Sequence, residues 1–279
     1  MVELGPDHCL SFVERSPAAV AVHDKAAWLQ LFARYNIVED PVGSRPHVSG
    51  IYDHRSRRRG CGRLSRFWDA FIAPNQIRFE VEYDFVDGLD VVRDLTIEIT
   101  MAPGVVVRTP MHLVYNLQAE QGSLKIFRLA AHWELAPMLR QQTGLGAAGL
   151  SAGVVAGWRL LRRLGPAGLL GFGAALFSIG KKGKERVRLF QRYFNQGNVD
   201  ALCSLFESDD GAGATAARVL LARGVQMEVS KLIAAGSFVS CSALLRKDGD
   251  YQPALALFEF DRRSGSLLDF RCYTRQVGC

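Results

Sequence analysis

Residues 77–87, IRFEVEYDFVD, alternate an apolar side chain with a charged one for most of their length. Ile77, Phe79, Val81, Tyr83 and Phe85 fall on one face of an extended chain, and Arg78, Glu80, Glu82 and Asp84 on the other. A period of two is the signature of a half-buried strand. Residues 91–101, VVRDLTIEITM, repeat it with Val91, Leu95, Ile97, Ile99 and Met101 on one side. The runs GVVVRTPMHLVYNL (104–117) and SLKIFRLAAHWEL (123–135) are apolar over more of their length, so both of their faces are expected to be covered. No helical period interrupts the four runs, which predicts an antiparallel meander.

Helix signals precede the meander. Ser16-Pro17 reads as an N-cap followed by proline at the first helical position. Asp24 reads as the cap of a helix over 25–33, with Ala27, Trp28, Leu31 and Phe32 at helical spacing. A further helix over 64–72 carries Phe67, Trp68 and Phe71 and stops at Ala73-Pro74-Asn75. Helices followed by a meander specify an α+β fold, a curved antiparallel sheet laid over helices.

Residues 144–180 change character, being rich in Gly, Ala and Leu and free of carboxylates. Arg159, Arg162 and Arg163 split the segment into apolar pieces shorter than the roughly 20 residues a bilayer span needs. The expectation is an apolar helical linker whose arginines, at spacing i, i+3, i+4, can lie on a membrane surface. RVRLFQRYFNQGNVDALCSLFE (186–207) then reads as helix, Gly-Asn turn and a helix capped by Asn198. Four more strand-like runs follow: GVQMEVSKLI, SFVSCSALLRKD, PALALFEFD and SLLDFRCYTR. The order of elements repeats that of the first half, so the expected organisation is a first domain over 1–140, a linker over 141–183 and a second, degenerate copy over 184–279.

A chain of 279 residues with 48% hydrophobic and 22% charged residues can bury a sizeable core. Six cysteines are scattered without C-x-x-C or metal-ligand spacing, which points to free thiols in a reducing compartment and to no structural metal. The net charge of +6 concentrates in RSRRRGCGR (55–63) and in 181–188. The first of these runs lacks the interleaved aromatics of a strand-binding platform, so nucleic acid is not an expected partner, although its cations would favour the thiolate of Cys61. No phosphate loop or cofactor fingerprint is visible, and cofactor-free action in the cytoplasm is the expectation; the alternative is a non-catalytic binding or scaffold module that meets a membrane surface, through 144–190, or a protein partner.

In NIVEDPVGSRP (36–46) a carboxylate pair ends an apolar run and is followed by Pro41, Gly43 and Pro46, which hold and then turn the chain. VEDPVGSRP followed by a glycine, together with LSRFWDAFIAPN and VVRTPMHLVYNL, resembles the ketosteroid isomerase branch of the nuclear transport factor 2-like (SnoaL-like) superfamily. The resemblance covers about residues 20 to 135; the second half resembles the superfamily in element order and in NQGNVDALCSLF. It implies a cone-shaped fold present in two copies, with a hydrophobic small molecule of steroid or polyketide type in the cone. Asp40 then stands where the isomerases carry the base that moves a proton between two carbons. The family's two oxyanion donors are replaced: its tyrosine falls on Ser16 and its protonated aspartic acid on His112, whose neutral imidazole can still donate. Trp68, Phe71, Tyr83 and Trp133 fall where the family lines its pocket, and Val114 shares the strand face of His112. Tyr52, Tyr83, Tyr115 and Trp68 are further candidate donors. The polar side of the 104–117 strand is expected to look into the pocket. Its apolar side is expected to meet another sheet, in a homodimer or in the second domain.

Overall fold

The computed structural model describes residues 5–50, 52–53, 58–59 and 62–274. The chain divides into two compact units, Met1–Leu176 and Phe177–Cys279, so the apolar segment up to Leu176 belongs to the first. Residues 55–62 of the arginine run, Cys61 among them, and the candidate donor Tyr52 lie outside the residues whose side chains are described. Cys9, Cys203, Cys241 and Cys272 are free thiols.

The first unit opens with helices α1 (Pro6–Ala21) and α2 (Lys25–Gln30) and strands β1 (Phe32–Glu39) and β2 (His47–Ser49). A short ribbon, β3 (Tyr52–Asp53) and β4 (Arg58–Arg59), precedes helix α3 (Gly62–Phe67), whose last turns, Trp68–Ile72, wind as a π-helix. The four expected strands follow as β5 (Gln76–Asp87), β6 (Asp90–Ala102), β7 (Val105–Glu120) and β8 (Ser123–His132). They join β1 and β2 in one mixed sheet of order β2-β1-β8-β7-β6-β5, in which β1 runs parallel to β8. Helices α4 (Leu135–Gly144) and α5 (Gly146–Gly173) complete the unit. Leu95, Ile97 and Ile99 of β6 and Met111, Leu113 and Tyr115 of β7 form one core with Phe12 and Val13 of α1, Trp28 of α2 and Trp68.

Two local signals yield to this packing. Ser16-Pro17 does not start a helix: α1 begins at Pro6 and runs through Pro17. The buried face of Cys9, Phe12, Val13, Ser16 and Val20 explains this, since it spans the proline at helical spacing. The helix capped by Asp24, which accepts from the Ala27 amide at 2.9 Å, ends at Gln30 rather than 33. There the Leu31 carbonyl accepts from the Ile126 amide at 2.8 Å and the chain is drawn into the sheet as β1.

A third difference sits inside the opening strand. Val81 pairs with Leu95, but Tyr83 pairs with Asp94, so Glu82 is an extra residue in β5. A bulge of one residue moves every later side chain to the opposite face. Ile77 and Phe79 pack on the helix side; Tyr83 and Phe85, paired with Asp94 and Val92, do not. Asp84 takes the helix side instead, opposite Arg93.

Helix α5 lies against α4 and the π-turn through its small residues. A Cβ on Gly149 would collide with the carbonyl oxygen of Gln142, whose Nε2 donates to the Gly149 carbonyl at 3.2 Å. Gly165 (φ 73°, ψ 177°) and Pro166 break α5 before its final turns. Among the described residues no single helix is long and apolar enough to cross a membrane.

The second unit contains α6 (Gly180–Asn195), α7 (Val199–Cys203), α8 (Ala212–Ala222) and a four-stranded antiparallel meander, β9 (Gln226–Ala235), β10 (Phe238–Lys247), β11 (Asp250–Phe260) and β12 (Leu267–Thr274). Several of its details match the first. Asn198 caps the Ala201 amide three residues on, as Asp24 caps Ala27. Leu205 accepts from the Leu267 amide and Phe206 bridges Leu267 in parallel, as Leu31 accepts from Ile126 and Phe32 pairs with Ile126. Helix α6 packs on β9 and β10 as α1 does on β5 and β6. The opening strand again shifts register, between the partners of Ser240 and Ser242.

Candidate functional site

Asp40 sits just past the end of β1, where the parallel pairing with β8 brings it beside the residue that follows β8. The Trp133 indole Nε1 donates to Asp40 Oδ1 at 2.7 Å. The Val42 amide donates to the Ala131 carbonyl at 2.8 Å and fastens the loop behind Asp40 to the same strand. The Asp40–Pro41 peptide is cis. Asp40 keeps a little solvent contact, yet protein surrounds it closely enough to govern its ionisation. Burial raises its pKa from the ordinary carboxylate range to about 6, against a smaller lowering by the Trp133 hydrogen bond.

Ser16 occupies the interior side of α1 as a hydrogen-bond relay and not as a cap. Its Oγ accepts from Trp28 Nε1 at 3.1 Å and hydrogen bonds with the Tyr115 hydroxyl. Burial pushes the Tyr115 phenol up; Arg93 and the Ser16 bond oppose this, and the charges of Asp84 and Asp40 act on it too. Arg93, buried on the same face of β6, donates from Nε and Nη2 to Asp84 at 2.7 and 3.1 Å. Sequence reasoning had named Tyr115 but missed this buried pair. The signal was a charged residue in an apolar face, readable only once the bulge at Glu82 is known.

His112 and Asp40 do not share a pocket. Met111, Leu113 and Tyr115 face the helices, so His112 and Val114, at intervening positions, face away. On that side His112 Nε2 lies 3.4 Å from Asp94 Oδ1, and His112 pairs in register with His132. Burial, with the charges of His112 and Arg128, lowers the pKa of His132 to about 3. The same side carries Arg108, in contact with Glu80 and Glu98. The expected orientation of β7 is therefore reversed: its apolar side packs on the unit's own helices, because that is where the core needs it. Tyr83, moved by the bulge, joins His112 and Val114 outside the pocket. Trp68 is core, its ring 5.2 Å from that of Trp28. Phe71 lines a cavity and Trp133 holds Asp40.

Two hollows lie beneath α5. One, of about 210 Å³, is apolar and lined by Phe71, Met101, Leu135, Met138, Leu160 and Phe172 among others. The second, of about 200 Å³, is lined by Ser44, His47, Arg63, Arg66, Leu160 and Phe172 among others. Leu160 and Phe172 wall both. Asp40 lines neither, but the Phe172 ring is 6.4 Å from that of Trp133. A larger open hollow between α1 and the β7–β8 turn contains none of the candidate residues. Among the described residues no cluster of His, Cys, Asp and Glu could hold a metal ion.

Comparison with known proteins finds solved structures similar to about half of the chain and no family. No family model matches the chain, and no curated protein is detectably similar to it. Among solved structures, a Δ5-3-ketosteroid isomerase from Mycobacterium sp. matches with a TM-score of 0.38 and 25% identity, covering 46% of this chain and 94% of its own. A Mycobacterium tuberculosis protein in complex with estradiol-17β-hemisuccinate matches at 0.38 and 20%, covering 46% and 95%. An epoxide hydrolase of LEH-like type from the same organism matches at 0.38 and 16%, covering 53% and 95%. What the site can do follows from its own side chains.

Proposed function

We propose that the first unit binds a hydrophobic small molecule, steroid- or polyketide-like, beside Asp40, and that Asp40 serves as a base in proton-transfer isomerisation. The observation that carries this reading is a carboxyl held by an indole N–H in apolar surroundings, with its pKa at about 6. At pH 7 such a group is mostly ionised yet basic enough to take a proton from a carbon next to a carbonyl and return it elsewhere on the same molecule. Phe172 walls both hollows and its ring lies 6.4 Å from that of Trp133, which brings the hollows within one ring of the indole that holds Asp40. Tyr115 offers the hydroxyl for the oxygen on which charge builds, a role worth on the order of 3 kcal/mol of barrier. His112 is given no part in it, because it faces the other way.

The nuclear transport factor 2-like cone remains the best description of the first unit, resting on the resemblance of residues 20–135 and the mixed sheet over helices. The matched caps, parallel bridges and strand irregularities of the two units support a duplication, with the second unit keeping the meander and losing the Asp40 loop.

A test is turnover of a β,γ-unsaturated ketosteroid, followed by the rise of conjugated enone absorbance, alongside a binding screen of apolar ligands. Asp40→Asn should bind as before and lose roughly 10²-fold or more in turnover, the contribution of a positioned base. Tyr115→Phe should lower turnover by a similar factor. Turnover indifferent to Asp40→Asn would remove the base; a screen that finds no apolar ligand would remove the binding reading as well.

A second reading has its own observation. The outward side of α5 exposes Leu150, Val154 and Trp158 at four-residue steps, with Arg162 next in the row. No carboxylate occurs between Glu134 and Glu185. An apolar stripe with an indole and flanking guanidinium groups suits the surface of an anionic bilayer.

A further inference from the structure

The 200 Å³ hollow differs from its neighbour in its electrostatics. Arg45, Arg63 and Arg66 line it together with His47, and no carboxylate does. Ser44 is 8% exposed, lines the same hollow, and its Oγ has no hydrogen-bond partner. A buried hydroxyl without a partner is costly to leave unsatisfied, so a site that keeps one is suited to an acceptor brought by a ligand. Phe67, Leu160, Leu164 and Phe172 supply the large apolar side chains of the wall, and the last three come from α5. Leu160 and Phe172 continue into the apolar hollow beyond.

We propose that the first unit takes an anionic amphiphile, its carboxylate, sulfate or phosphate head held by Arg45, Arg63, Arg66 and Ser44, and its hydrocarbon part lying under α5 toward Phe71 and Met138. The proposal rests on the reading of a hydrophobic ligand site and narrows its ligand class. Guanidinium groups suit such heads because their N–H forks match pairs of oxygens. His47, whose ring lies 4.7 Å from that of Phe67, stays neutral near pH 7 because burial and the Arg63 charge lower its pKa to about 4. It can therefore donate one N–H without adding a fourth cation. The loop that carries Ser44 and Arg45 is tied to the same helix, since the Arg45 amide donates to the Gly171 carbonyl at 3.0 Å. Head recognition and the wall over the tail are thus fixed to one another.

The test uses the full chain and the fluorescence of cis-parinaric acid, compared with that of its methyl ester. The acid should bind about tenfold or more tightly than the ester, the worth of one or two charge-assisted contacts. Arg63→Gln and Arg45→Gln, both at exposed positions, should each remove several-fold of that preference by weakening the acid more than the ester. Ser44→Ala should reduce it as well. Laurate and dodecyl phosphate should displace the probe and dodecanol should do so more weakly; inorganic phosphate alone should not displace it. Equal affinity for acid and ester, or a preference untouched by the arginine variants, overturns the anionic site while the apolar-ligand reading stands. Inorganic phosphate competing as well as dodecyl phosphate would also overturn it, by showing that the tail contributes nothing. Binding of neither acid nor ester would overturn both.

Discussion

A carboxyl that holds its proton up to about pH 6 gives the folded chain a proton affinity that the unfolded chain lacks. Between pH 4 and 6 the native state keeps the Asp40 proton and the unfolded state releases it. Stability from this group is therefore fully present below pH 4 and is lost as pH rises through 6, up to about 3 kcal/mol for a shift of some two units. Asp40→Asn should remove that slope. Urea unfolding of both proteins at pH 4 and pH 7 should show the difference between them growing in favour of the variant at the higher pH; a constant difference would mean that Asp40 ionises freely. His47 and His132 act with the opposite sign. With pKa values lowered to about 4 and 3, they stay neutral when folded and cost stability as pH falls below about 6.5. The comparison with Asp40→Asn isolates the carboxyl from them. Asp40 stood out through the prolines and glycine that follow it and Trp133 through the resemblance alone; their meeting was not legible, because it depends on β1 and its parallel pairing with β8, and the chain over 32–39 carries no clear strand signal. His112 was misplaced because an aligned position says which residue stands on a strand, whereas its face depends on what the core needs.

At the scale of elements, alternation reveals strands well but is blind to a bulge. In IRFEVEYDFVD the apolar residues continue on odd positions past Glu82, so nothing in the alternation warns that Tyr83 and Phe85 leave the helix side and Asp84 enters it. Helix starts suffered similarly at Ser16-Pro17, where an interior face outweighs a local cap. The glycines of α5 look alike in sequence, and the structure separates those that carry contacts from those that do not. Gly149 stands against the Gln142 backbone, whereas a Cβ on Gly157 meets nothing within 4 Å. Gly149→Ala should cost about 1–3 kcal/mol by forcing α4 and α5 apart. Gly157→Ala should be neutral or stabilise by up to about 1 kcal/mol through helix propensity. All four tryptophans, at 28, 68, 133 and 158, lie in the first unit, so indole fluorescence during denaturation reads that unit alone. Equal midpoints for the two variants would contradict the packing of α5 described above.

Across the whole molecule the four-stranded meander of each unit and the helices before it could be read from the sequence, because turns and caps are local signals. What the sequence hid is the allegiance of residues 146–176: their composition suggests a tether, but the interior side of α5 walls two hollows of the first unit. One helix then has two different faces, an inner one over the two hollows and an outer one bearing Leu150, Val154, Trp158 and Arg162. If the outer face meets anionic lipid, the protein should sediment with vesicles containing phosphatidylserine and remain in solution with vesicles of phosphatidylcholine alone. Raising salt should release it, since a basic residue near such a surface contributes about 1 kcal/mol and is screened within a Debye length. Trp158→Ala and Arg162→Gln should each reduce the bound fraction several-fold without moving the unfolding midpoint, because both side chains are exposed. Sedimentation that is equal for both vesicle types, or unaffected by the two substitutions, would leave the outer stripe without a lipid role and confine α5 to its inner one.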